Sequence, residues 1–281
     1  MSAEPITRPA LRWFGGKWRL GPWIVGHLPP HDAYCELYGG AASVLLRKPP
    51  AKLETWNDLH GRLVNFFTVL RSRPDELVRA LELTPYARAE YEQAREVAAD
   101  PLEDARRFYV LAQQGRVGAA TRSCRSGWRY ECEPTRGSVV ADEFAVTVHL
   151  RAIAERLKHV QVEQDEALAV LRRYDRATTL HYVDPPYVIA ARRSWDRYAH
   201  ELDSDGHRAL AETLHAARGM VVLSGYPSAL YDDLYGAWAQ VDRAEQIDSG
   251  RHVTERLWFN PAAAAALDRA RHRQLTFGES A

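Results

Sequence analysis

The chain has 281 residues, enough for one large α/β domain or for a core domain carrying an insertion, and with 46% hydrophobic and 26% charged residues it has the composition of a soluble globular protein. Lys plus Arg and Asp plus Glu number 37 each, and a net charge of zero by itself speaks against a nucleic-acid partner. No apolar run approaches the ~18 residues of a membrane helix. The first residues hold no apolar signal core, and Cys35, Cys124 and Cys132 are odd in number without metal-like spacing, so a cytoplasmic protein with reduced thiols is expected.

In chain order, Arg12–Trp18 (RWFGGKW) places two glycines and a lysine between aromatics. It lacks the spacing of a phosphate-binding GxxxxGK[ST] loop. Its glycines let backbone approach a ligand, Lys17 can meet a carboxylate and Trp13 can stack; taken alone, the stretch is better read as a surface turn with an exposed tryptophan. Arg19–His27 reads as a short helix ended by Pro29 and Pro30. Tyr34–Leu46 (YCELYGGAASVLL) predicts a strand, a turn of small residues from Gly39 to Ser43, and a helix start, as in the first unit of a nucleotide-binding sheet. Leu53–Asp58 predicts a second strand ending in an acid. Asp58 stands about twenty residues after the turn, where such folds hold a ribose; it can also cap a helix over Leu59–Leu70.

The strand–helix rhythm then breaks. Pro74–Leu83, Ala87–Ala99 and Leu102–Gln114 carry helical patterns, and Gly115–Gly137 is polar, basic and interleaved with Trp128 and Tyr130. From Arg106 to Gly137 seven arginines (Arg106, Arg107, Arg116, Arg122, Arg125, Arg129, Arg136) face only Glu131 and Glu133. A genome rich in arginine codons explains the use of Arg but not its clustering. Arginines and aromatics on a loop suit phosphate contacts and base stacking, so Arg116, Arg122, Arg125 and Arg129 are candidate DNA ligands; a solvated loop is the competing assignment. A helix over Glu143–Leu157 returns the chain to the sheet.

Val160–Glu163 predicts a third strand. Asp165 beyond it can take an adenine amino group or cap the helix Glu166–Tyr174, the cap being favoured. Thr179–Tyr187 (TLHYVDPPY) follows: a strand that must lift out of the sheet at its prolines, leaving Asp184 at the carboxyl edge where open α/β sheets bind ligands. After the polar stretch Ala190–Glu201 come a helix over His207–Ala217, a buried strand Met220–Gly225, a late strand Arg256–Asn260, and a short Ala-rich helix with an Arg-rich tail.

The chemistry of the DPPY stretch follows from its atoms. An exocyclic purine amine is a poor nucleophile because its lone pair is delocalised. The Asp184 carboxylate and the Pro185 carbonyl can accept both amino hydrogens and stabilise the charge that develops on nitrogen during attack. The Tyr187 ring can stack on a base taken out of a duplex. If the adenosine-like ligand is S-adenosylmethionine, direct methyl transfer needs neither a covalent intermediate nor a metal. Cytosine C5 methylation needs a cysteine nucleophile, usually after proline, and none of the three cysteines follows one.

The ordered set RWFGGK (Arg12–Lys17), ELYGGAASV (Glu36–Val44), Asn57-Asp58 and DPPY (Asp184–Tyr187) resembles the Dam-type, alpha-group adenine-specific DNA N6-methyltransferases over nearly the whole chain. The resemblance extends to Val221–Tyr235 and Thr254–Asn260. It implies a Rossmann-like mixed sheet of the S-adenosylmethionine-dependent type, formed by residues 1–70 and 159–281, with a mostly helical target-recognition domain inserted over 71–158. It implies that Trp13, Lys17, Tyr38, Gly40 and Asp58 bind the cofactor, Lys17 at its carboxylate end and Asp58 at the ribose, with Asp165 a further candidate. Asp184, Pro185 and Tyr187 would be catalytic, Asp184 bridging cofactor and base, and Arg12 would contact a base. The family has phenylalanine and glycine where this chain has Tyr38 and Ala42, and the Ala42 methyl would crowd the cofactor's methionine moiety. The expected protein is a bacterial or phage monomer acting on double-stranded DNA, with or without a cognate restriction endonuclease. RNA or protein amino-methyltransferases on the same fold, and catalytically inactive DNA-binding relatives, are the alternatives.

Overall fold

A computed structural model describes residues 5–116, 127–132, 139–188, 201–246 and 252–278. Seven strands, Ala33–Glu36 (β1), Leu53–Asn57 (β2), Val160–Glu163 (β3), Thr179–Val183 (β4), Met220–Gly225 (β5), Ala239–Gln246 (β6) and His252–Phe259 (β7), form one mixed sheet in the order β3-β2-β1-β4-β5-β7-β6. The first five are parallel, and β7 runs antiparallel to both β5 and β6.

β4 and β5 are buried along their whole length because helices cover both faces of the sheet, and β5 accordingly reads as a nearly unbroken apolar run. Alternation divides their side chains between two cores. Met220 and Val222 join Leu63, Phe66, Phe108, Leu150 and Ile153 on one face. Val221 and Leu223 join Val170, Leu210, Leu214, Tyr231 and Trp258 on the other. The helical segment inserted between β2 and β3 shares the first of these cores, since Leu77, Val78, Phe108 and Tyr109 pack in one cluster with Trp56 and Tyr182 of the sheet.

The sheet order places the site. From β1 the chain winds outward through β2 and β3, then crosses back so that β4 and β5 continue on the opposite side. The order therefore reverses between β1 and β4, with Glu36 in register with Tyr182. A crevice opens beyond the carboxyl ends of two such strands, and these ends carry the Gly39–Gly40 turn and Asp184.

Several boundaries differ from expectation. The helix expected over Glu143–Leu157 is two helices, Val139–Ala145 and His149–Leu157, separated at Val146 and Val148, which are exposed β-branched residues with lower helix propensity. The segment expected to be one helix from Ala87 to Ala99 is helical only over Arg88–Gln93. The late strand begins at His252 because it pairs along its full length with β6, a strand absent from the sequence prediction. β6 (AQVDRAEQ) is a polar edge strand with Val241 as its contribution to the core, so it carries no apolar run to betray it. Among the described residues no helix is long and apolar enough to cross a membrane.

Candidate active site

Beyond β1 the chain turns sharply. Gly40 has φ +48°, and Ala42, which caps the helix Ser43–Arg47, has φ +55°. Glycine is required twice here for space. A Cβ on Gly39 would lie 2.0 Å from Trp56 Nε1, and one on Gly40 would lie 2.7 Å from Trp13 Nε1. The turn floors a cavity of about 480 Å³ lined by Trp13, Lys17, Tyr38, Gly40, Asp58 and Asp184 among others. Six residues singled out in the sequence thus meet in one place. Ala42 is fully buried in the sheet core and is not part of that lining, so its methyl does not crowd the cavity as expected.

Asp58 uses both oxygens on local backbone. Its Oδ2 accepts from the Gly40 N–H at 2.9 Å and its Oδ1 from the His60 N–H at 2.8 Å. It therefore ties the end of β2 to the glycine turn while facing the cavity. The expectation that it caps the next helix is corrected: that helix is Gly61–Ser72, and His60 caps it by accepting from the Leu63 N–H. Asn57, one residue earlier, locks three strand ends. Its amide donates to the Leu37 and Asp165 carbonyls and its Oδ1 accepts from the Asp165 N–H.

Asp165 does not reach the cavity lining. Its carboxylate accepts from the Glu166 N–H and pairs with Arg173 at 2.7 Å, while Glu166 and Ala167 line the wall. The expected cap is also displaced, since Glu166 occupies the N-cap position of Ala167–Tyr174 and makes no side-chain cap bond.

At the other end of the cavity stands Asp184. Its Oδ1 accepts from Ser224 Oγ at 2.9 Å, and its Oδ2 lies 2.9 Å from Lys17 Nζ. Lys17 is 6% exposed and lies 3.7 Å from Glu255 Oε1, and its ammonium sits 4.6 Å from the centre of the Tyr187 ring. Lys17 lines the cavity, held between the half-buried Asp184 carboxylate and the buried Glu255 carboxyl. The Tyr187 ring is buried against Tyr226 at 4.5 Å, outside the cavity lining, and its hydroxyl donates to Glu255 Oε1 at 2.6 Å. Of the two prolines, Pro186 lines the cavity and Pro185 is buried beside it.

Three side chains at or beside this cluster were not singled out in the sequence. Ser224 is the single polar residue of the buried run MVVLSG, which is a usable signal. Glu255 has no local signal. Glu36 ends β1 and lines the cavity; burial pushes its carboxyl up to about 8 against hydrogen bonds from the Tyr34 hydroxyl and the Leu45 N–H, with the Asp184 charge adding to the rise. Burial likewise pushes Glu255 up to about 7, opposed by the Lys17 charge and reinforced by that of Asp184.

Away from the cavity, a bridge between Gly115 and Trp128 closes the base of the basic segment. Trp128 and Tyr130 stack with centroids 5.9 Å apart, Arg88 lies over both rings at 4.8 and 5.5 Å, and exposed Arg116 lies 5.8 Å from the Tyr130 ring. Arg88 was not anticipated. Arg129 pairs with Glu143 at 2.8 Å, and Arg106 and Arg107 are spent on Glu103 and Glu90, so the positive excess at this surface is smaller than the sequence count. Arg12 is half-buried beside the cavity-lining Trp13. Arg122 and Arg125 lie outside the described residues.

A mixed sheet with its crevice at the β1/β4 reversal, a glycine turn and an acid at the next strand end defines a nucleotide-cofactor fold of the methyltransferase type. Comparison with known proteins makes the class specific. Residues 13–244 match the family described as D12 class N6 adenine-specific DNA methyltransferase. The chain belongs to this family and is an enzyme that methylates adenine in DNA. It is similar to the DNA adenine methylase of Salmonella typhimurium (strain LT2) and to that of Escherichia coli K12, each 28% identical over 241 residues, which are 82% of this chain and 84% of the relative. It is also 30% identical over 108 residues, 38% of this chain and 35% of the relative, to the DNA adenine methylase of Serratia marcescens.

Proposed function

We propose that the methyl donor is S-adenosylmethionine, held in the cavity between the Gly39–Gly40 turn and Asp184, and that the acceptor is N6 of an adenine extruded from double-stranded DNA. The observation that carries this is the placement of Asp184 in the wall of a cavity whose other end is built by a backbone-tight glycine turn and Asp58. The residues fit the donor. The missing side chains at Gly39 and Gly40 leave room for close backbone approach, Asp58 presents a carboxylate for the ribose hydroxyls, and Trp13 and Tyr38 supply apolar walls.

When bound, the donor supplies an electrophilic methyl group on a cationic sulfur. The chain's own residues do the rest. Asp184, fixed by Ser224, accepts a hydrogen from the adenine amine, and the Pro185 carbonyl accepts the other. Both favour a nitrogen lone pair directed at the methyl carbon. The amine would take the methyl group, leaving the donor as a neutral thioether, and one amine proton would then pass to water. The carboxylates stabilise the positive charge that appears on nitrogen in between. Tyr187 contacts the base once Lys17 has moved off its ring.

The helical insertion, residues 71–158, serves target recognition, with Arg12, Arg116, Arg122, Arg125 and Arg129 and the Arg88–Trp128–Tyr130 stack facing DNA. The enzyme acts as a cytoplasmic monomer, and a restriction endonuclease partner is compatible with it. The test uses purified protein, duplex DNA and labelled S-adenosylmethionine. Label is expected in N6-methyladenine, and Asp184→Ala is expected to abolish transfer while preserving fold and cofactor binding. Absence of label in any DNA, with cofactor binding demonstrated, would sink the assignment.

A further inference from the structure

We propose that Glu255 is a positioning residue for methyl transfer: its carboxyl fixes the Tyr187 hydroxyl and gives the Lys17 ammonium a second anionic partner when the adenine amine takes Lys17's place on Asp184. The inference rests on the reading that Asp184 receives that amine.

Four parts of the chain converge on this cluster. Lys17 comes from the N-terminal loop, Asp184 and Tyr187 from the segment after β4, Ser224 from the end of β5, and Glu255 from β7. Register explains the last of these. Arg256 pairs with Gly225, so Glu255 falls one residue beyond the end of β5, level with the point where the DPPY segment leaves the sheet. Glu255 is 3% exposed and is not part of the cavity lining, whereas Lys17 and Asp184 are. It therefore acts through its neighbours and does not touch substrate.

The distances define a competition. One ammonium lies 2.9 Å from Asp184 Oδ2 and 3.7 Å from Glu255 Oε1, and the remaining Asp184 oxygen is occupied by Ser224. An incoming amine must share Oδ2 with Lys17 or displace it. A buried ammonium without an anion is costly, so displacement is easy only where a second carboxylate stands within a small tilt of the side chain. Glu255 stands there, and the Tyr187 hydroxyl, donating at 2.6 Å, holds its Oε1 in place. The same shift uncovers the Tyr187 ring face that Lys17 now covers.

The groups facing Glu255 are Lys17, Asp184, Tyr187 and, within β4, Tyr182. Across the β6–β7 pair stands Arg243, whose guanidinium turns to Glu245 and the Trp23 ring. Glu255 must be ionised to receive Lys17. With its carboxyl raised by burial to about 7, the transfer rate gains an acid limb near neutral pH that a merely structural glutamate would not produce.

The experiment is single-turnover methyl transfer from saturating labelled S-adenosylmethionine to duplex DNA, from pH 5.5 to 9. Wild type is expected to gain rate as pH rises through about 7. Glu255→Gln, which can still accept from Tyr187 but carries no charge, is expected to lose at least about tenfold in rate at pH 8 and to lose the limb, with cofactor Kd within about threefold. Tyr187→Phe removes a hydrogen bond that favours the Glu255 anion, so the limb should move to higher pH; this variant keeps the test open should Glu255→Gln fold poorly. A wild-type rate and unchanged limb in Glu255→Gln, or an unmoved limb in Tyr187→Phe, overturns the proposal. Asp184→Asn separates the two readings. If it retains full transfer, the assignment of Asp184 fails and this inference falls with it; if it is inactive while Glu255→Gln matches wild type, only the role of Glu255 fails.

Discussion

Ser224→Ala isolates one hydrogen bond at the centre of the proposed chemistry. Ser224 Oγ is fully buried and donates to Asp184 Oδ1 at 2.9 Å, with the Tyr182 hydroxyl 2.9 Å away on its other side. The Asp184 carboxylate would keep Lys17 on Oδ2 but lose what orients Oδ1. A hydrogen bond to an ionised group contributes about 1.5–3 kcal/mol, and each ~1.4 kcal/mol in a barrier is tenfold in rate. If the bond acts fully in the transition state, single-turnover transfer at saturating cofactor and DNA should slow by about 10- to 150-fold. Tyr182 loses a buried partner at the same time, costing about 1–3 kcal/mol of stability, visible as a lower denaturant midpoint. Ser224 does not line the cavity, so cofactor Kd by calorimetry should stay within about threefold. A variant with the lowered midpoint but a rate within threefold of wild type would show the bond to be structural only, and the ordered Asp184 assumed here would be wrong.

Three further predictions address other parts of the site. Gly40→Ala puts a Cβ 2.7 Å from Trp13 Nε1 at φ +48°, strain of about 1–2 kcal/mol before any clash, so S-adenosylmethionine Kd should rise by tenfold or more in calorimetry. Glu36→Gln should flatten part of the pH dependence of stability. The Glu36 carboxyl, at about 8 in the fold, keeps its proton where the unfolded chain has lost it, so its contribution is whole at low pH and fades as pH rises through 8. Chemical denaturation should therefore show the variant gaining on wild type between pH 5 and 9, by on the order of 4 kcal/mol at most. Arg88→Ala removes the cation over Trp128 and Tyr130; DNA Kd should rise and the slope of log Kd against log salt should fall by about one, and an unchanged slope would place Arg88 off the DNA.

Legibility in the sequence followed the range of the forces involved. β5 showed as an apolar run because both faces of the sheet are covered, and the glycine turn and the double proline announced themselves because turns depend on their own residues. β6 did not show, since an edge strand needs few apolar residues. In the site, Trp13, Lys17, Tyr38, Gly40, Asp58 and Asp184 could be named, but not the direction of their contacts. Ser224 is 40 residues from Asp184 and Glu255 is 68 from Tyr187, and only the β4-β5-β7 order brings them together. The arginine count misled for the same reason: Glu90, Glu103 and Glu143, distant or outside the counted window, neutralise three of its members.

The charges of the site fit the proposed cationic donor. Asp184 and Glu255 share the Lys17 ammonium, Glu36 feels the charges of Asp184 and Lys48, and burial lifts Glu255 to about 7 and Glu36 to about 8. On the proposed function, a cationic sulfonium would be attracted to this acid-rich site where a neutral cofactor would not. In the proposed transfer the positive charge would appear on the amine beside Asp184, whose carboxylate would stabilise it until the amine proton leaves. The spent donor is neutral and has lost the attraction that bound it. The proposed site would thus favour the charged donor over its product and stabilise the charge that forms between them, as differential binding requires of a catalyst.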